Sequence, residues 1–166
     1  MKRKVSESRS RGRRTETSVV ALVAMVLAAL AYAQLSTVMV VGDSMTPTLQ
    51  SGDRAVILHG FRWLRPLRPG DIVAARVRVR GVGETIVVKR IAWIHPKAGP
   101  AIWPKTLTVL GESMDRELLF PEGYPSCPTN VRGGIYVLGD NLEGSEDSRD
   151  YGPLTDDAIM GRLLNW

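Results

Sequence analysis

The sequence predicts a mainly β fold behind one N-terminal membrane-spanning helix, on three observations. An uncharged, almost wholly apolar run lies near the start, at Ser18–Leu35. Beyond it come short Val- and Ile-rich segments, and clusters of Gly and Pro separate them. Short β-branched runs bounded in this way read as strands, and many of them in one small domain build coiled or barrel-like small sheets. A chain of 166 residues, 44% of them apolar, suits one such domain plus an appendage.

The N-terminal element is argued from charge and length. Residues 1–16 hold seven of the 22 basic side chains (Lys2, Arg3, Lys4, Arg9, Arg11, Arg13, Arg14) and two of the 17 acidic ones (Glu7, Glu16). Fifteen of each sign remain, so the formal charge of +5 belongs to this tail. A neutral remainder argues against nucleic acid as a partner, which needs basic residues spread over a folded face. No side chain from Thr17 to Gly42 is charged. A helix over 17–35, rising about 1.5 Å per residue, matches a hydrocarbon core of roughly 30 Å, and the preceding cations favour a cytoplasmic N-terminus. The expectation is a basic cytoplasmic tail over 1–16, a single-pass signal anchor over 17–35 in the cell membrane, and an extracytoplasmic domain over 36–166, with membrane lipid as a partner. Two other readings compete. Arg13-Arg14 suggests a twin-arginine signal, but "RRTET" lacks the apolar residue that should follow soon after the pair. "AYA", Ala31–Ala33, suggests a cleavage site after a removable signal peptide. The run is long for that and continues into "STVMVV" almost without a polar break, which favours retention.

The strands expected after the anchor are "STVMVV" (36–41), "RAVIL" (54–58), "DIVAARVRV" (71–79), "ETIVVKRIAWI" (84–94), "TLTVL" (106–110) and "GIYVLG" (134–139). Alternation places Arg76, Arg78 and Arg80 on a solvated face and Val77 and Val79 on a core face. Residues 95–133 read as a small insertion, with "PEGYPSCPTNVRGG" as a long surface loop. Cys127 is the only cysteine, so no internal disulfide or thiolate metal cluster can form. No metal and no cofactor is expected.

Three local features carry chemistry. In "VVGDSMTPTL", Val40–Leu49, Ser44 is either an ordinary turn residue or a presented hydroxyl. Lys89 interrupts a strand that is apolar on both sides, and by the two-residue period it shares a face with Thr85, Val87, Ile91 and Trp93. A buried cation costs several kcal/mol unless it is paired or deprotonated, and desolvation lowers the pKa of a lysine; the alternative is an edge lysine reaching water. In "GDNLEGSEDSRDYG", Gly139–Gly152, acids and hydroxyls crowd a loop. It does not read as an EF-hand, because Leu142 and Gly144 stand where oxygen ligands should alternate from Asp140. His59 and His95 leave a Ser-His pairing open on paper.

A serine with a neutral lysine makes a Ser-Lys dyad, a variant of the nucleophile-plus-base arrangement. In order, "GDSMTPTL", "GDIVAAR" (Gly70–Arg76), "VVKRI" and "GDNLEGSEDSRDYG" resemble the boxes of bacterial type I signal peptidases (leader peptidases), membrane-anchored serine proteases that remove signal peptides from exported preproteins. The resemblance implies the fold shared by these enzymes and SOS-repressor proteases. It implies Ser44 as nucleophile, Lys89 as general base, Ser145 as the serine that orients the lysine, and Asp147 with Arg149 as a supporting pair. Met45 would line the binding region. Val40, Val87 and Val88 would wall small pockets for a preprotein signal peptide bound as an added strand and cut after small residues of Ala-x-Ala type. Gly42 occupies the place where some members carry a serine that donates to the oxyanion, leaving the Ser44 N–H as a candidate donor. After Lys89, "WIHPKAG" replaces the family's usual Pro-Gly-Asp turn.

A monomer in the membrane is expected. Nine residue steps from Leu35 to Ser44 reach at most about 30 Å, so the hydroxyl would work near the outer membrane surface. Rival readings are a conjugation-pilin processing peptidase, a self-cleaving SOS-repressor-like regulator, and a non-catalytic membrane-anchored binding module. The regulator would need a helix-turn-helix where the apolar run stands. "AYA" also raises the expectation of slow self-cleavage after Ala33.

Overall fold

The computed structural model describes residues 4–60, 64–79, 81, 83–96, 105–110, 112–115 and 133–164, with the side chains of the first helix described from Ser18 onward. Two units make up the chain, 1–35 and 36–166. In the first, helix α1 runs Lys4–Tyr32 and closes with Ala33 N donating to Ala29 O at 2.9 Å. It ends short of the expected 35, because β1 already begins at Leu35. Val19, Val20, Leu22, Val23, Met25, Val26, Leu27 and Leu30 are each more than half exposed. Among the described residues, no helix is long and apolar enough to cross a membrane.

The second unit is mainly β. Strands β1 (Leu35–Met39), β2 (Arg54–Leu58), β3 (Ile72–Val79), β4 (Gly83–Ile94), β7 (Ile135–Leu138) and β8 (Ile159–Leu163) form one sheet in the order β1-β2-β8-β3-β4-β7. Strands β5 (Thr106–Val109) and β6 (Glu112–Asp115) form a separate antiparallel pair. A short helix α2 spans Ser148–Tyr151, and a 3-10 turn spans Asp156–Ala158. All the strands expected from Val/Ile runs are present, while β6 and β8 were not expected. "ESMD" and "IMGRL" have weak β patterns. Gly161, in the middle of β8, leaves room for its antiparallel neighbour β2: a Cβ would collide with the Ile57 side chain and lie 2.9 Å from Leu58 O.

The first half of β3 is buried on both faces, so two cores meet across it. Val73, Ala75, Val77 and Val79 pack with Ile91, Val137 and Ile159. Ile72 and Ala74 pack on the other side with Met45, Leu49, Ala55 and Ile57. Arg76 and Arg78 are exposed where Val77 and Val79 are buried, as alternation predicts, and Arg80 lies outside the described residues. Strand β4 departs from simple alternation. Its register with β7 shifts between Ile91 and Trp93, so Ile91 and Ile94 join one core while Ala92 and Trp93 turn to another. Trp93 therefore does not share the face of Lys89, because an extra residue in one strand inverts every side chain after it. Within the expected insertion, Leu107, Val109 and Met114 of the β5–β6 hairpin pack on Ala92 and Leu138. Residues 97–104 and 116–132, including Cys127 and most of the predicted long loop, lie outside the described residues.

Candidate active site

Ser44 sits half-buried in a turn built by its neighbours. Thr46 N and Thr46 Oγ1 both donate to Asp43 O, at 3.1 and 2.8 Å. Leu49 N donates to Met45 O at 2.9 Å, and the Thr46-Pro47 bond is cis. Met45 points inward and is 1% exposed, which anchors the turn in the core and leaves the next side chain back, Ser44, at the surface of a cavity. Gly42, with φ of +87°, donates to Ser51 Oγ at 3.3 Å and does not line that cavity.

Lys89 lies on β4 opposite Val73 of β3 and is 3% exposed. Burial pushes its pKa below the ordinary lysine value; Asp147, Glu146 and Asp140 oppose that shift and Arg149 reinforces it. Desolvation wins because no carboxylate pairs with the amine among the described ion pairs. Ser44, Lys89, Val40, Met45, Val87 and Val88 line one cavity of about 310 Å³. Val38, Met39, Val41 and Ile86 complete its wall. The last three are exposed apolar side chains at 67, 80 and 55%, a surface suited to an apolar partner. On β4, residues 83–90 pair with β3 on one side, whereas β7 pairs only from Arg90 onward. Strand β1 ends the sheet. Among the described residues, both rims of the cavity thus carry strand edges with no neighbouring strand paired to them, the prerequisite for adding a strand.

The loop Gly139–Gly152 is organised around Asp147, which is fully buried. Its Oδ2 accepts from Gly139 N at 3.0 Å, and its Oδ1 accepts from Arg149 N and Nε at 3.1 and 2.9 Å. Arg149 Nη2 bonds Asp147 Oδ2 at 2.9 Å and Leu142 O at 2.7 Å. Asp147 and Asp150 cap α2 reciprocally. This network holds Ser145 against Gly139, with the Ser145 hydroxyl buried and without a hydrogen-bond partner among the described residues.

Several residues that sequence reasoning missed tie this loop to the serine turn. Asn141 N donates to Ser44 O at 3.1 Å, and Asn141 Nδ2 donates to Asp43 O at 3.2 Å. Arg90 and Asp140, 2 and 5% exposed, form a two-pronged ion pair at 2.8 and 2.7 Å. Arg90 also donates to Gly70 O at 3.0 Å and Thr48 Oγ1 at 3.4 Å. One guanidinium thus joins all four motif stretches. The signal that singled out Lys89, a cation inside an apolar strand, applied equally to Arg90.

A model of the family described as signal peptidase, peptidase S26 matches residues 13–165, nearly the whole chain. The chain belongs to this family. Among its curated relatives are a probable signal peptidase I-1 from Synechocystis sp., 30% identical over 132 residues, and a signal peptidase IB from Staphylococcus aureus, 29% identical over 143. Each match covers 74% of this chain, but only 65% of the first relative and 72% of the second. In this peptidase S26 member neither histidine lines the Ser44 cavity. His59 lies 2.7 Å from Ser36 Oγ and 3.1 Å from Met160 O, and His95 is buried at 2.7 Å from Pro96 O.

Proposed function

We propose that this chain is a membrane-anchored serine endopeptidase that removes N-terminal signal peptides from exported preproteins, with Ser44 as nucleophile and Lys89 as general base. The observation that carries this reading is that Ser44 and a buried lysine of lowered pKa line one cavity. The family and the names of its relatives support it.

In this mechanism the neutral Lys89 amine takes the Ser44 proton as the oxygen attacks the scissile carbonyl. The C–N bond then breaks as the ammonium returns that proton to the leaving amine, giving an acyl-serine ester. Water, deprotonated by the same amine, hydrolyses the ester and restores the hydroxyl. The Ser44 N–H donates to the oxyanion. The Ser145 hydroxyl, buried without a hydrogen-bond partner among the described residues, is available to bond the amine and aim it, and Asp147 with Arg149 holds Ser145 in position.

The substrate lies as an added strand between the edges of β1 and β4. Main-chain pairing supplies affinity, and the apolar wall at Val40, Val87 and Val88 favours small side chains before the cut. Residues 1–16 form the cytoplasmic tail, 17–35 the anchor and 36–166 the outer domain. The exposed apolar side chains of α1 support the anchor, since in water they would have no cover. The chain works in the membrane as a monomer.

The test is cleavage of a preprotein bearing an Ala-x-Ala site by the purified chain in detergent. Wild type is expected to release the mature N-terminus, while Ser44→Ala and Lys89→Arg are inactive, because arginine keeps the charge but cannot act as a base at neutral pH. Turnover by Ser44→Ala would overturn Ser44 as the nucleophile, and absence of cleavage by folded wild type would leave the binding-module reading instead.

A further inference from the structure

A second cavity, of about 350 Å³, is lined by Arg65, Asp71, Arg162, Leu163 and Leu164, none of which lines the Ser44 cavity. Its acid is already engaged. Asp71 accepts both prongs of Arg65 and the Arg68 N–H at 2.9 Å. Arg162 is different. It is 8% exposed, forms no ion pair among the described residues, and its Nη1 is buried there without a hydrogen-bond partner. Its backbone is held between Leu58 of β2 and Val73 of β3, so it cannot relax into solvent as a loop arginine would.

The cavity therefore carries two guanidiniums against one carboxylate, and the cation with least access to water is the unpaired one. A buried charge in that state calls for an anion. A tetrahedral phosphate suits the site better than a planar carboxylate, because its oxygens reach two guanidiniums that approach from separate segments. The surroundings are apolar: Leu164 is 49% exposed, and Leu64, next to Arg65, is 70% exposed. That mixture fits a phosphate ester carrying an apolar group.

We propose that this cavity is a phosphate-ester site in which Arg162, with Arg65 beside it, donates to the phosphate oxygens. The ester comes either from a phospholipid headgroup or from a soluble phosphate compound, and the two share this chemistry. The inference does not rest on the peptidase reading.

The experiment follows the thermal midpoint of the full chain in neutral detergent, which needs no proteolytic activity. Additions are glycerol phosphate against chloride at equal ionic strength, and micelles doped with phosphatidylglycerol against a phosphate-free galactolipid. Wild type is expected to show a saturable rise with phosphate. Arg162→Gln, checked for folding by circular dichroism, is expected to bind at least about tenfold more weakly, and Arg162→Lys to lie between. A rise with phosphatidylglycerol that exceeds the soluble ester assigns the lipid source; a rise with glycerol phosphate alone assigns the soluble one. The proposal is overturned if wild type shows no saturable rise with either, a result that needs no variant, or if a folded Arg162→Gln responds as wild type does.

Discussion

Gly139 packs directly on Ser145: a Cβ at position 139 would collide with the Ser145 side chain and come within 2.5 Å of Ser44 O. The missing side chain lets the terminal loop lie against the serine turn. Gly139→Ala is therefore expected to displace Ser145 and Ser44 together. Peptidase turnover should fall by about 100-fold or more, since an error of about 1 Å at reacting groups has that effect. Stability should fall by about 1–3 kcal/mol from overpacking. Turnover kinetics and urea denaturation check both, and unchanged kinetics would place Ser145 outside the reaction.

Lys89 makes stability depend on pH. Its pKa is lower in the folded chain, chiefly from burial, so between the folded and unfolded values the unfolded chain binds the extra proton. Stability then rises with pH through that window, and is lost as pH falls towards the folded value. Lys89→Met is expected to flatten this slope and to add about 0.5–2 kcal/mol near neutral pH, while abolishing turnover. Urea denaturation over a pH series tests the slope.

Asp147 and Arg149 act on the same amine with opposite signs. Removing the carboxylate charge in Asp147→Asn should shift the acid limb of the pH–rate profile to lower pH. Arg149→Met should shift it to higher pH, with reduced turnover in both. Profiles of kcat/KM report the free enzyme and decide the matter; shifts in the same direction would contradict the assignment of Lys89 as the titrating base.

The Arg90–Asp140 pair predicts a distinct pattern of coupling. Arg90→Leu alone leaves a buried, unpaired carboxylate and is expected to reduce stability by about 3–5 kcal/mol. Adding Asp140→Leu should recover most of that loss, because the isolated charge, rather than the missing attraction, dominates. A double-mutant cycle by denaturation measures the coupling.

His59 bonds Ser36 and the Met160 carbonyl, away from the Ser44 cavity. His59→Gln is expected to keep turnover within about twofold, as surface substitutions away from a site usually change little. Loss of activity with intact folding would revive a Ser-His pairing.

Much of the β architecture was legible because Val and Ile in short runs leave few alternatives to a strand. Residues 54–58 match β2 residue for residue, and 84–94 match β4 to within one. Strands β6 and β8 were not legible. β8 is defined by its place between β2 and β3, and Gly161 within it is accounted for only once the Ile57 side chain and Leu58 carbonyl of the neighbouring β2 are seen against it. Trp93 was assigned to the wrong face because a register shift in β4 leaves no mark in composition.

The linear chain by itself determined which residues stand out from their surroundings: a hydroxyl in a Gly/Pro turn, a lysine inside an apolar strand, and an acid-rich loop after "IYVL". Those signals are local, being mismatches between a side chain and its immediate neighbours. Only the tertiary structure decided that Ser44 and Lys89 line one cavity, that Asn141 and Arg90 fasten the terminal loop to the serine turn, and that Gly42 is not among the residues lining that cavity. The physical reason is that burial, and with it the lowered pKa of Lys89, belongs to no single segment. It arises when strands far apart in sequence close around the amine and exclude water.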